Sequence, residues 1–423
     1  MSQQSMTTAG ASNMTVIKGL TFLMFMMFAM TTDSVGVIIP QVIKQFHLSM
    51  TAAGAFHYVT MSAIAIAGIS LGFLADRLGR KKVIVLGLVL FALNSYLFAV
   101  GNSFAFFLVL LAISGFSIGI FKTGALALIG DISTSTNDHT TMMNNVEGFF
   151  GVGAIIGPAI VAHLLGIGVS WKWLYVIAGS VCVLLILTAL RVRYPETMKP
   201  TDEPVDLKRT LKMIGDPFAM AFSFGIFLYV AVECAIYVWM PTLFASYHGN
   251  AIFFATYSIS IFFVLRAAGR FIGAWVLARF RWTTVLALFC SAILLCFVGS
   301  VWIGLSAAVF LLPISGLFMS VIYPTINSKG ISCFPKTQHG AVAGLILFFT
   351  CGAAALGPLA MGAISDFFGQ PKYGFVLATG FAALLCLGSL INWIFDPTRE
   401  LLNRLDQTEY QTIPVLRQGE ALS

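Results

Sequence analysis

Five ionisable residues sit inside long apolar runs of this 423-residue chain: Asp33, Lys122, Glu147, Glu233 and Arg266. A charged side chain at the centre of a bilayer costs about 2.5–3.5 kcal/mol on insertion scales, so such positions demand partners or protons. Three acids stand against two cations, which leaves one carboxylate in excess. That carboxylate can take up and release a proton, while the cations can neutralise the other acids or meet a solute that carries negative charge. Asp33, Glu147 and Glu233 are therefore proton-coupling candidates, and Lys122 and Arg266 are solute-binding candidates. The expected pairs are Lys122 with Asp33 or Glu147, and Arg266 with Glu233. Trp239, Tyr323, Asn327 and Asn144 add rings, a hydroxyl and amides that could orient a polar solute.

Other chemistries find no support. No GxxxxGK[ST] loop is present to cradle a nucleotide, so an ATP-driven pump has no sequence support. The seven cysteines lie in or beside apolar runs without paired metal spacing and read as packing residues. No metal, cofactor or enzymatic activity is expected.

The elements that position these side chains are apolar segments. The chain is 58% hydrophobic and 10% charged with a mean hydropathy of +0.92, far from the ~25% charged residues of an ordinary globular domain. A spanning helix needs about 20 mostly apolar residues, and twelve such runs are read at 17–40, 51–74, 83–100, 104–129, 145–165, 173–190, 218–244, 252–277, 285–303, 307–331, 340–364 and 373–395. Landmarks repeat between the two halves. Pro40 and Pro241 lie 201 residues apart, as do Gly72 and Gly273, and Ser114-Gly115 and Ser315-Gly316; Gly157-Pro158 and Gly357-Pro358 lie 200 apart. The expected fold class is an all-α polytopic membrane protein with twelve transmembrane helices in two pseudo-symmetric six-helix bundles, a solute being held between them near the bilayer midplane. The corresponding domains are an N-terminal tail (1–16), a first bundle (17–190), a linker (191–216), a second bundle (217–395) and a C-terminal tail (396–423), with a short surface helix expected from Asp206 to Met213.

Orientation follows from Lys and Arg, because positive loops stay cytoplasmic. Of 24 basic residues, four lie within spans, only Lys44, Lys172 and Lys372 lie on one side, and the remaining seventeen, including Lys18 at the very start of the first span, lie on the other. Both termini are thus expected in the cytoplasm and the protein in the plasma (inner) membrane. The same distribution accounts for the net charge of +7 without nucleic acid. His57 and His163 are expected at the membrane interface and His139 in an inner loop.

The loop between the second and third spans reads GFLADRLGRKK, residues 72–82. Gly72 and Gly79 permit close approach and a tight turn, Asp76 can cap a helix, and Arg80 with its neighbours anchors the inner face. This resembles the signature loop of the major facilitator superfamily, and the resemblance implies that Asp76 and Arg77 belong to an inner conformational latch. Within that superfamily the chain is similar to the fucose permease-like group of sugar:proton symporters. The stretches VEGFFGVGAIIGP (146–158), YVAVECAIYVWMPTLF (229–244), GRFIGAWVLARF (269–280), SGLFMSVIYPTINSKGI (315–331) and GAAALGPLAMGAISD (352–366) carry that resemblance. The chain departs from the group at three charged positions. Gly36 stands where an acid is usual, with Asp33 one turn earlier; Lys122 stands where a glutamate is usual, and Glu147 where a glutamine is.

The resemblance implies a secondary transporter acting as a monomer by alternating access, with proton-coupled uptake of a small polar solute such as a sugar or a sugar acid/organic anion. The alternative is a proton-coupled efflux antiporter for a drug or metabolite, suggested by GVGAIIGP in the fifth span, although AIVA replaces the glycine pair that should follow.

Overall fold

The computed structural model describes the backbone of residues 3–71, 78–132, 136–194, 213–277, 279–335 and 339–405. Among these residues every regular element is helical. Apolar runs in hydrocarbon require this, since a helix satisfies its own backbone donors and acceptors. The first span is α1 (Gln3–Thr32) followed by α2 (Val35–Phe46), and the second is a short α3 (Met50–Ala53) leading into α4 (Ala55–Leu71). Spans three to six are α5 (Arg80–Leu97), α6 (Phe104–Ile132), α7 (Thr136–Gly166) and α8 (Trp173–Arg191). The seventh consists of α9 (Pro217–Cys234), a π-helical turn (Ala235–Trp239) and α10 (Met240–Phe244). After α11 (Ile252–Thr256) come α12 (Ser258–Leu277) and α13 (Trp282–Ile303). The tenth span is α14 (Leu305–Met319) with α15 (Ile322–Ser332), and α16 (His339–Phe368), α17 (Lys372–Phe395) and the short α18 (Arg399–Leu405) complete the chain.

Among the described residues, eleven spans are long and apolar enough to cross a membrane. The twelfth, α5, falls short because Arg80, Lys81 and Lys82 occupy its first turn. The sequence duplication is also a duplication of packing. In the first bundle α1 lies on α7 and α8, α6 on α4 and α5, and α5 on α8; in the second, α9 lies on α16 and α17, α14 on α12 and α13, and α13 on α17. Small residues set some of these contacts: a Cβ on Gly119 of α6 would stand 2.5 Å from the Ala67 Cβ of α4, the close helix approach that glycine allows in membranes.

Some expectations meet the structure only partly. Helix α1 begins at Gln3, so most of the expected 1–16 tail is helical, and its apolar stretch starts at Met14. Residues 195–212 of the expected linker, with the surface helix expected from Asp206, and 406–423 of the expected C-terminal tail lie outside the described residues.

Candidate functional site

The first span is broken at Asp33 and Ser34. The run Thr31-Thr32-Asp33-Ser34 supplies side chains that compete with the backbone for hydrogen bonds, which favours helix ends over helix interiors. The Thr31 hydroxyl donates to the Phe28 carbonyl (2.9 Å), the Ser34 hydroxyl to the Met30 carbonyl (2.5 Å), and the Thr32 hydroxyl to Asp33 Oδ2 (2.8 Å). Asp33 is left half-buried at the N-terminal end of α2, where the helix dipole favours a carboxylate.

The seventh and tenth spans are irregular for related reasons. Proline has no N–H to give the carbonyl four residues earlier. Pro241 follows the π turn, and its missing N–H leaves the Tyr237 carbonyl without its helical donor; Pro324 does the same for Ser320, where α14 and α15 part. Tyr229 Oη donates to the Met319 carbonyl at 3.0 Å and so caps the end of α14. Irregular backbone at membrane depth is tolerated where protein or a polar cavity covers it.

Two of the five intramembrane charges form an ion pair at one of these irregular points, and the others act on them at longer range. Glu233, one residue before the end of α9, is ion-paired with Arg266 of α12, and the two side chains are only 10% and 20% exposed. The Arg266 guanidinium also lies 6.0 Å from the Phe263 ring centroid, and its buried Nε has no hydrogen-bond partner among the described residues. Lys122 differs from expectation. It forms no ion pair among the described residues and instead holds its ammonium 5.5 Å from the centroid of Phe150, a cation–π contact. The acids that act on Lys122 electrostatically are Glu147 and then Asp33. Glu147, exposed on α7, also acts on Arg266 and Tyr323. Asp33 is acted on by Arg266, Lys122 and Glu233. The two separate pairs expected from sequence are thus one network, with Asp33 shared between a cation of each bundle. These charges lie well below the surface: Arg266 is eight residues from the start of α12 and Lys122 ten from the end of α6, about 12 and 15 Å at 1.5 Å per residue.

The other candidates separate. Tyr323 is half-buried with its ring 6.3 Å from that of Tyr229, and Asn327 is half-buried one turn further along α15. Trp239 is 2% exposed, and its Nε1 donates to the Pro358 carbonyl at 3.1 Å. Its ring fills the space left by two glycines, since a Cβ on Gly54 or Gly362 would stand 3.0 or 3.2 Å from it. In this conformation Trp239 joins the bundles and has no free donor for a solute, contrary to expectation. The side chain of Asn144 lies outside the described residues, as do Gly72, Asp76 and Arg77 of the signature loop and the side chain of His139. Gly79 has φ 86 at the start of α5, a backbone conformation suited to glycine. Arg80 is buried, and its Nε donates to Asp131 Oδ2 at 2.8 Å, tying the loop to α6 of the same bundle. No group of three potential metal ligands is found among the described residues.

Contacts between the bundles concentrate at the end where α3 begins and α16 finishes. Asp366 accepts hydrogen bonds from the Met50 N–H (2.7 Å), the Thr51 N–H (2.7 Å) and the Thr51 hydroxyl (2.5 Å). A Cβ on Gly36 would stand 1.9 Å from the Tyr237 carbonyl oxygen. Gly36 and Tyr237 each precede a proline by four residues, so the two prolines free the backbone at the place where the halves touch. The Ser260 hydroxyl donates to the Ile155 carbonyl (2.9 Å). None of the residues of this closed end except Trp239 was singled out from sequence as a site residue. His57, expected at the membrane interface, is fully buried here, because α16 and the seventh span cover the face of α4 that carries it.

Comparison with known proteins places this arrangement. The family model for the Major Facilitator Superfamily matches residues 21–358. Multidrug resistance protein 2 of Bacillus subtilis (strain 168) is 24% identical over 374 residues, 84% of this chain and 90% of that protein. Quinolone resistance protein NorA of Staphylococcus aureus (strain N315) is 32% identical over 119 residues; the matched segment is 28% of this chain and spans only 30% of NorA. Among solved structures, the nucleoside transporter NupG superposes with a TM-score of 0.72 at 14% identity, covering 90% of this chain and 98% of NupG. The E. coli fucose:proton symporter FucP gives 0.62 at 20% identity, covering 90% and 99%. At these identities the likeness to solved structures is one of fold.

Proposed function

The chain belongs to the Major Facilitator Superfamily, and we propose that this integral membrane transporter couples proton movement to uptake of a small polar solute, a sugar acid or other organic anion ahead of a neutral sugar. The observation that carries the reading is the set of buried charges, in which three acids act on two cations and Lys122 has no ion-pair partner among the described residues. A solute carboxylate would meet the Lys122 ammonium and the unused Arg266 Nε, with Tyr323 and Asn327 beside it. Asp33 is the proton carrier. Its charge supports both cations, so protonating it weakens its hold on them and links proton binding to solute binding.

Replacing Asp33 by Asn removes the titration while keeping the side chain's shape. Asp33→Asn will abolish accumulation against a gradient in proteoliposomes yet retain solute counterflow. Accumulation at the wild-type level would transfer the role to Glu147 or Glu233. A second reading, proton-coupled export, draws on the match of Multidrug resistance protein 2 along most of the chain. An imposed pH gradient separates the two: uptake with the proton gradient directed inward supports the first, and expulsion of preloaded solute supports the second.

The seventeen-to-three distribution of basic residues between the two sides supports a cytoplasmic linker at 191–216 and cytoplasmic termini, with the closed end facing outward. A cysteine introduced at Thr201 will react with an impermeant thiol reagent only in inside-out vesicles. Reaction in intact cells would reverse the orientation.

A further inference from the structure

His57 is 0% exposed, and no side chain among the described residues hydrogen-bonds either ring nitrogen. The backbone of Ala354 on α16 is within hydrogen-bonding reach of the imidazole, and the Tyr237 ring packs edge-on with centroids 5.5 Å apart. Both neighbours belong to the opposite bundle. The burial of His57 is therefore a property of the closed gate. Described titratable groups on the elements packed against α4 are Tyr229, Glu233, Cys234 and Tyr237 of the seventh span, Cys351 and Asp366 of α16, Lys122 and Asp131 of α6, and Lys44 of α2 with Asp33 before it, Glu233 being ion-paired with Arg266. Each of those with a described partner is engaged elsewhere. Tyr237 Oη and Cys234 Sγ are hydrogen-bonded at 2.8 Å, Asp366 accepts from Met50 and Thr51, Asp131 from Arg80, and Asp33 and Lys122 belong to the charge network. Among the described residues no carboxylate is placed to compensate an imidazolium at His57.

His57 lies six residues below Thr51, about 9 Å at 1.5 Å per residue, so a proton from the closed end reaches it only when the Asp366 contacts part. We propose that His57 is a proton-binding site of the gate, dry and neutral while the gate is closed, and hydrated and able to take a proton when α4 separates from α16 and the seventh span. A proton bound there opposes closure, because an unpaired imidazolium would have to be buried among apolar and aromatic groups. The three hydrogen bonds to Asp366 act in the other direction and favour closure.

The test reads the gate directly and requires neither the solute nor the coupling acid to be known. Spin labels go on cysteines at the exposed rim positions Gln45 and Gln370, one on each bundle, with Cys351 replaced by serine because the other native cysteines are buried. In reconstituted protein the long-distance population will rise severalfold on going from about pH 7.5 to about pH 5.5, across the ordinary histidine value of about 6.5. His57→Phe and His57→Gln will each keep the short distance throughout that range, and Asp366→Asn will lengthen it at both ends. A wild-type distribution that does not move with pH overturns the proposal. So does an unchanged shift in both His57 variants, which would assign the response to another group. The two His57 variants guard against a packing defect peculiar to one of them.

Discussion

Arg266→Ala will destabilise the protein by about 3–5 kcal/mol, the cost of leaving a buried carboxylate without its counter-ion. Among the described residues Glu233 has no other cation in contact, and both side chains are largely buried where water cannot replace the lost partner. Asp33 loses a stabilising charge in the same change, so the effect extends past the pair. Thermal unfolding in detergent, followed with size-exclusion profiles, measures the loss. Glu233→Gln in the Arg266→Ala background will recover much of the stability because it removes the unpaired charge, and it will not recover transport. A single Arg266→Ala variant as stable as the parent would mean that Glu233 takes up a proton in the folded protein and never relied on the ion pair. Glu233 would then become the leading proton carrier in place of Asp33.

Lys122→Ala will lower apparent solute affinity by about ten- to hundredfold, the range expected for loss of one hydrogen bond to a charged group at 1.4 kcal/mol per factor of ten. Lys122→Arg will retain more activity, since it keeps the charge but changes its geometry. The ammonium rests over Phe150 without an ion pair among the described residues, so its removal leaves the packing of α6 on α4 and α5 in place and the protein folded. Combining Lys122→Ala with Glu147→Gln or Asp33→Asn separates two roles. If Lys122 only neutralises an acid, the paired change restores solute counterflow, which Asp33→Asn by itself retains, because the unpaired carboxylate is gone. If Lys122 holds the solute, no removal of a neighbour replaces the lost ligand, and the double variants remain inactive. Inactive double variants with normal thermal stability are the expected result.

The sequence by itself determined the number of spans, their duplication and the depth of the charges. Those properties are one-dimensional. Run length sets what can cross hydrocarbon, rise per residue turns position into depth, and the cost of an intramembrane charge marks Asp33, Lys122, Glu147, Glu233 and Arg266 without reference to any neighbour. Pro40 and Pro241 were legible as landmarks for the same reason. What they do was not legible. The carbonyl freed by Pro241 lies against Gly36 only because the two halves are brought together, and nothing local to either proline specifies that contact.

Azimuth and partner choice belong to the tertiary structure. Depth could not say that Lys122 would face a ring instead of a carboxylate, or that Asp33 would serve cations from both bundles, because those outcomes depend on helix rotation and on the break at Ser34. Trp239 read as a solute contact and is instead held by the Pro358 carbonyl. Asp366 drew no attention as a site residue, although it holds the start of α3. His57 read as interfacial because a polar residue near the end of a span ordinarily reaches water. Only the closure of one bundle on the other removes that water and leaves the imidazole dry, a property of the pair of halves that neither half carries alone.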